Sequence, residues 1–234
     1  MVRPAASRAV HSAPFSRVET EGSRLRRMSH TFRALPVAVA SALVLAACQS
    51  APLTQPSWPA PADPMTLAQD AGLTPEPEEH LVTHTHAHLD VFVDGERVVV
   101  PSGIGIDLEA DGVSHELSDD GTTHEYFVPG TCDAPCLSPL HTHNPTGLIH
   151  TESKDPDQEP YTLGQFFTEW DVRLDGDCVG EFCKADTPIA IYLDGEKYEG
   201  NPAEIELTSH LEIAIVIGTA PGTIPDSYPF IDPA

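Results

Sequence analysis

Beyond residue 47 the chain has very few cations. Seven of its 12 Lys and Arg are arginines at positions 3, 8, 17, 24, 26, 27 and 33, which leaves 5 cations against 34 Asp and Glu, a net of −29. Over all 234 residues the formal charge is −24. Neutralising phosphates requires Lys and Arg, so nucleic acid is excluded as a partner for a basic patch, and anionic lipid as a charge-driven docking surface. Methionine is equally sparse. Past the first 30 residues only Met65 occurs, which disfavours a thioether-based Cu(I) carrier. No G-x-S-x-G elbow and no H-E-x-x-H helix motif is present, so two common hydrolase frameworks are absent. The apolar stretch Leu35 to Ala47 is too short to span a bilayer, which takes roughly 20 apolar residues.

That stretch reads instead as an export signal. Arg33 supplies the positive region, Leu35 to Ala47 the apolar region, and Leu45-Ala46-Ala47-Cys48 resembles a bacterial lipobox. Cys48 is then the lipidated first residue of the mature protein, and the membrane is reached through that lipid. Met28 is a better start than Met1 for such a signal, with residues 1–47 forming leader and signal peptide. Residues 48–79 carry seven prolines, from Pro52 to Pro77, and read as a stiff tether, with Trp58 and Leu67 able to dock locally. Residues 80–220 form the folded domain. Residues 221–234 are a proline-rich tail expected to lie on its surface, with Tyr228 and Phe230 packing down.

Cys132, Cys136, Cys178 and Cys183 remain after the signal. An even count in an exported domain reads as disulfides. Local pairs, each clipping its own loop, and cross pairs joining the two loops are both open at this level.

Apolar alternation fixes the strand faces. Leu89, Val91 and Val93 share one face, and His84, His86, His88 and Asp90 the other. Asp94-Gly95 then supplies a tight-turn pair, and Glu96 to Pro101 returns. The pattern recurs at Ile189 to Leu193, Asp194-Gly195 and Glu196 to Tyr198, and a third hairpin is expected from Glu116 through Asp120-Gly121 to Val128. Thr162 and Gln165 form a capping box ahead of Leu163, Phe166, Phe167 and Trp170, which make the apolar face of a helix. Leu211 to Ile217, apolar but for Glu212, reads as a central strand. The expected fold is α+β and mainly β, a small sheet with D-G hairpins and one packed helix, β-grasp-like or sandwich-like.

Histidine carries the chemistry. Two tight groups stand out, His84-Thr-His86-Ala-His88 and His141-Thr-His143, with His150 seven residues on. Alternate residues of a strand share a face about 7 Å apart, so an H-x-H pair can grip one ion with a histidine from a neighbouring strand. Neutral imidazole suits Zn²⁺ and Cu²⁺. The ligands are expected from His86, His88, His141 and His143, with His84 and His150 as competitors. Asp90 and Glu152 are expected to orient imidazoles. His80, His115, His124 and His210 are expected to be surface groups.

The motifs also carry a family resemblance. They run His84-x-His86-x-His88-Leu89-Asp90-Val91-Phe92-Val93-Asp94-Gly95, then Val100-Pro101-x-Gly103-Ile104-Gly105-Ile106. Next come Leu140-His141-Thr142-His143 with Gly147-Leu148-Ile149-His150-Thr151-Glu152, and Tyr161-Thr162-Leu163-Gly164-Gln165-Phe166-Phe167 ending at Trp170. In this order they resemble a group of exported or membrane-anchored bacterial and archaeal proteins of no established activity. The resemblance covers most of 84–218. It implies that both H-x-H units and His150 belong to one constellation, and that loops 107–139 and 175–186 are local insertions.

Three function classes follow: a metal-binding module that buffers or senses one Zn²⁺ or Cu²⁺, a hydrolase or hydratase with a three-histidine metal site, and a structural envelope domain without metal.

Overall fold

A computed structural model describes residues 52–79, 82–118, 121, 123–155 and 160–230. The signal segment, Cys48, His80 and Asp120 lie outside the described residues.

The first strand organises everything else. β1 (Thr83–Val93) is 11 residues long and is flanked on both edges. On one edge it runs parallel to β11 (Glu212–Ile217), pairing His88 with Glu212 and Val93 with Ile217. On the other edge its C-terminal end folds back on β2 (Glu96–Val98) through Asp94 and Gly95, both left-handed at φ 49° and 84°. The N-terminal end of that edge pairs with β6 (Leu148–Ser153), and β6 in turn with β5 (Leu140–His141). Beyond β11 lies the second D-G hairpin, β9 (Ile189–Leu193) and β10 (Glu196–Tyr198). The order β10-β9-β11-β1-β6-β5, with β2 beside β1, makes one seven-stranded sheet. A mainly β sheet with a packed helix is the α+β class expected.

The helix α2 (Leu163–Glu169) forms because Thr162 and Gln165 close a capping box and its apolar side chains fall at helical spacing. Phe166, Phe167 and Trp170 bury against Ala87, Leu89, Val91 and Val93, all fully enclosed. Burial of such side chains is worth roughly 1.5–3 kcal/mol each. β11 is buried along its whole length, including Glu212, as a central strand must be.

Three features depart from or sharpen the sequence reading. Residues 52–79 do not run free as a tether. α1 (Pro64–Asp70), capped by Asp63 with proline in its first turn, packs against α2. Trp58 stands edge-on to Trp170 at 5.8 Å and accepts its indole N–H at the carbonyl, and Leu53 donates to Asp94. Apolar anchors outweigh the proline-rich composition. Next, the third hairpin expected forms as β3 (Ser114–Leu117) and β4 (His124–Phe127), pairing Ser114 with Phe127 and Leu117 with His124. Finally, the cysteines pair locally, Cys132 with Cys136 and Cys178 with Cys183, the latter joining β7 (Cys178–Val179) to β8 (Phe182–Cys183). Two disulfides indicate an oxidising, extracytoplasmic setting. Among the described residues no helix is long and apolar enough to cross a membrane.

The loop 101–106 braids with 138–143. Gly103 N–H donates to the Thr142 carbonyl, Thr142 N–H to Ile104, and Ser138 N–H to Gly105. Gly105 has φ 71°, and a Cβ there would lie 2.1 Å from the Leu140 carbonyl oxygen. Only glycine allows the loop to press this closely on β5. The Gly-Ile-Gly segment noted in the sequence is thus part of what holds the H-x-H strand.

Candidate metal centre

Strand pairing assembles the histidines. His86 of β1 stands opposite His150 of β6, and His150 opposite His141 of β5. Cross-strand partners share a face, so the three imidazoles form a row across the sheet. His84, two residues along β1, lies on the same face opposite Glu152, and His143 follows β5. The His150 ring contacts those of His84, His86, His141 and His143 at centroid distances of 5.4, 4.4, 5.1 and 4.4 Å.

Backbone carbonyls fix the tautomers on one side. The Ser138 carbonyl accepts from His141 Nδ1 at 3.0 Å, and the Tyr126 carbonyl from His143 Nδ1 at 2.5 Å. A carbonyl oxygen can only accept, so both Nδ1 atoms carry the proton and both Nε2 atoms present lone pairs. Those two Nε2 atoms are 3.2 Å apart. On the other side, His84 Nε2 and His86 Nε2 each lie 3.2 Å from His150 Nδ1. Two nitrogens bound to one tetrahedral ion at about 2.0–2.1 Å stand roughly 3.3–3.4 Å apart, which the three contacts approach. Glu152 Oε1 sits between the two sides, 3.5 Å from His84 Nε2 and 3.8 Å from His141 Nε2.

Burial disfavours the charged form at three of the rings. His141 is fully enclosed, and burial, then the neighbouring His143, holds its pKa well below 6.5. Burial likewise lowers His150, followed by its four histidine neighbours, and lowers His84 against the opposing pull of Glu79. A neutral imidazole is the metal-binding form. His84, His86 and His150 form one group able to hold an ion, and His141, His143 and His150 another.

The sequence reading is corrected at two histidines. His150, expected as a competitor, is the residue common to both groups. His88, expected as a ligand, is turned away from them. Its Nε2 is 2.9 Å from the Thr146 carbonyl, its Nδ1 is 2.8 Å from Glu212, and Tyr228 stacks on its ring at 3.9 Å. Asp90 orients none of the clustered imidazoles. It binds Arg97 at 2.6 Å and lies 4.0 Å from His88. Glu152 is where the reading placed it. His115, His124 and His210 are exposed, as expected, and Phe230 stacks on His210.

Two carboxylates escaped notice in the sequence. Glu212 is 1% exposed and meets His88. Its signal was a lone acid inside LEIAIVI. Glu169, at the last position of α2, is fully buried and had no signal beyond its place on the helix. Burial raises the Glu169 carboxyl well above 4.5, with the Ser138 hydroxyl acting in the opposite sense. A raised carboxyl stabilises the fold at low pH and loses that contribution as pH climbs from the unfolded value through the folded one. Glu169→Gln, neutral at every pH, is therefore expected to melt higher than the parent at pH 7 and equally near pH 4. The pH 7 gain should be about 3 °C or more, since each kcal/mol shifts Tm by roughly 2–4 °C at this chain length. Thermal melts at the two pH values check this, and equal melting at pH 7 would contradict it.

No protein-family model, curated protein or solved structure matches the chain.

Proposed function

We propose that this is an extracytoplasmic lipoprotein whose domain binds one divalent transition ion, Zn²⁺ or Cu²⁺, in a buffering or sensing role. The observation that carries the reading is the pair of bare Nε2 lone pairs of His141 and His143, 3.2 Å apart in a buried site. Two lone pairs facing each other call for a cation between them, and burial disfavours a proton on His141. With the thiols oxidised and methionine absent from the site, the donors are imidazole nitrogens, which suit Zn²⁺ and Cu²⁺ over Cu(I). Five imidazoles and one carboxylate are enough to saturate an ion, and that favours holding over turnover.

Elemental analysis of the exported full chain, purified without added metal or chelator, tests this. Near one equivalent of zinc or copper is expected. His141→Ala with His143→Ala should remove the ion while circular dichroism stays unchanged, and retention of the ion by that variant would refute the assignment. The lipid anchor is tested separately. Cys48→Ala should move the protein from the membrane to the soluble fraction, and unchanged membrane retention would exclude lipidation at Cys48.

The runner-up is a metal-dependent hydrolase or hydratase. One observation favours it: the buried Glu152 Oε1 lies 3.5 Å from His84 Nε2 and 3.8 Å from His141 Nε2. A carboxylate next to a metal and a water is the minimum for activating that water. Hydrolysis of activated ester substrates by the metal-loaded chain, lost in Glu152→Gln with metal retained, would favour this reading over the first.

A further inference from the structure

His88, excluded from the histidine cluster, faces a different set of donors. Its Nε2 donates to the Thr146 carbonyl at 2.9 Å, and its Nδ1 lies at hydrogen-bond distance, 2.8 Å, from Glu212 Oε2 and 4.0 Å from Asp90 Oδ2. All three residues are at least nine-tenths buried, with exposures of 3%, 1% and 8%. One imidazole nitrogen and two carboxylate oxygens thus converge within 4.8 Å of one another, close enough to share one ion. A metal ion can take the place of the proton shared between His88 Nδ1 and Glu212 Oε2.

Arg97 binds Asp90 on its other oxygen, Oδ1, and also the Thr146 carbonyl. Glu212 Oε1, in a residue 1% exposed, has no hydrogen-bond partner among the described residues. A buried carboxylate oxygen without a donor is costly unless an ion meets it. The imidazole is held rigidly. Gly147 has φ 95°, and a Cβ there would lie 2.2 Å from the Leu89 carbonyl and 3.2 Å from His88 Nε2, so the backbone presses against the ring from one side. Tyr228 from the C-terminal tail stacks on it at an interplanar angle of 16°. The Nε2–H to carbonyl bond is the usual device for aiming the other nitrogen at a metal.

We propose that His88, Asp90 and Glu212 form a second cation site, separate from the histidine cluster and taking a harder divalent ion of the Mn²⁺ class. One nitrogen with two carboxylates is the donor set for such ions, whereas the all-imidazole cluster prefers Zn²⁺ or Cu²⁺. The site uses no residue of the first centre and stands or falls independently of it.

Mn²⁺ is the probe, followed by the loss of the free-ion electron paramagnetic resonance signal. The exported chain carrying His141→Ala and His143→Ala should still bind about one Mn²⁺. Adding Glu212→Gln should weaken that binding at least about tenfold, the lower end of what loss of a metal-site partner costs. If the double variant does not fold, the same titration compares the parent with Glu212→Gln, where one equivalent fewer is expected. No Mn²⁺ bound by a folded double variant, or equal binding with and without Glu212→Gln, would overturn the proposal. Zinc or copper content reports on the first centre alone, so failure of one site is not mistaken for failure of the other.

Discussion

Replacing His150 with alanine is expected to empty the first centre. His150 belongs to both histidine groups, and its ring touches the four others. Loss of a single outer histidine removes one donor at the edge of the cluster, whereas loss of His150 removes the ring that all four others touch. Metal content of the purified chain should fall from near one equivalent to less than about a tenth, whereas His84→Ala, at the exposed end, should keep the ion with affinity lower by about tenfold. A bound ion stabilises the native state by about 4 kcal/mol when present at 1,000 times its Kd. At roughly 2–4 °C per kcal/mol for this length, chelation should lower the parent's Tm by about 8–16 °C. After chelation, one equivalent of Zn²⁺ should restore the parent's Tm and leave that of His150→Ala unchanged. A zinc-stabilised His150→Ala protein would mean that His150 is not the shared ligand.

Gly105→Ala is expected to be the most damaging single-methyl change near the site. The added Cβ would sit 2.1 Å from the Leu140 carbonyl oxygen, 3.1 Å from His141 Cβ and 3.2 Å from Glu169 Oε1, on a backbone at φ 71°. Two of these neighbours belong to β5 and cannot turn aside as a flexible side chain would. The loop or the strand must move, and β5 carries His141. A cost of about 3 kcal/mol or more is expected for backbone strain plus steric conflict, a Tm decrease of roughly 6–12 °C. Metal affinity should fall in the same variant, because displacing His141 Nε2 spoils its separation from His143 Nε2. Chemical denaturation and metal titration read the two effects. An unchanged Tm together with unchanged affinity would show that this loop does not hold the centre.

Much of the fold was legible because local rules and tertiary packing agree. The alternation in His86 to Val93 assigned Leu89, Val91 and Val93 to one face, and they are fully buried in the core that α2 shares. Asp94-Gly95 and Asp194-Gly195 announced two hairpins, and both aspartates adopt φ 49°. Thr162 and Gln165 announced α2 through a capping box that forms. Local docking of Trp58 was expected, but the extent of packing along 52–79 was not, because composition was weighed above the other anchors. Trp58, Leu53 and the Asp63-Pro64 helix start were each visible, but their receptors, Trp170, Asp94 and α2, are more than 40 residues away in sequence.

The site divides in the same way. The sequence alone determined that a strand would present His84, His86 and His88 on one face, that His141-x-His143 would make a second pair, and that the cysteines would be spent on disulfides. Spacing along a strand decides those things, because the side-chain period is two. Which histidines meet was decided only by the tertiary structure. β6 pairs with one edge of β1 from Thr83 to His88, and β11 with the opposite edge from His88 to Val93. His86 therefore meets His150 across one edge, while His88 meets Glu212 across the other. That register is set by contacts between residues more than 60 positions apart, and no local periodicity encodes it.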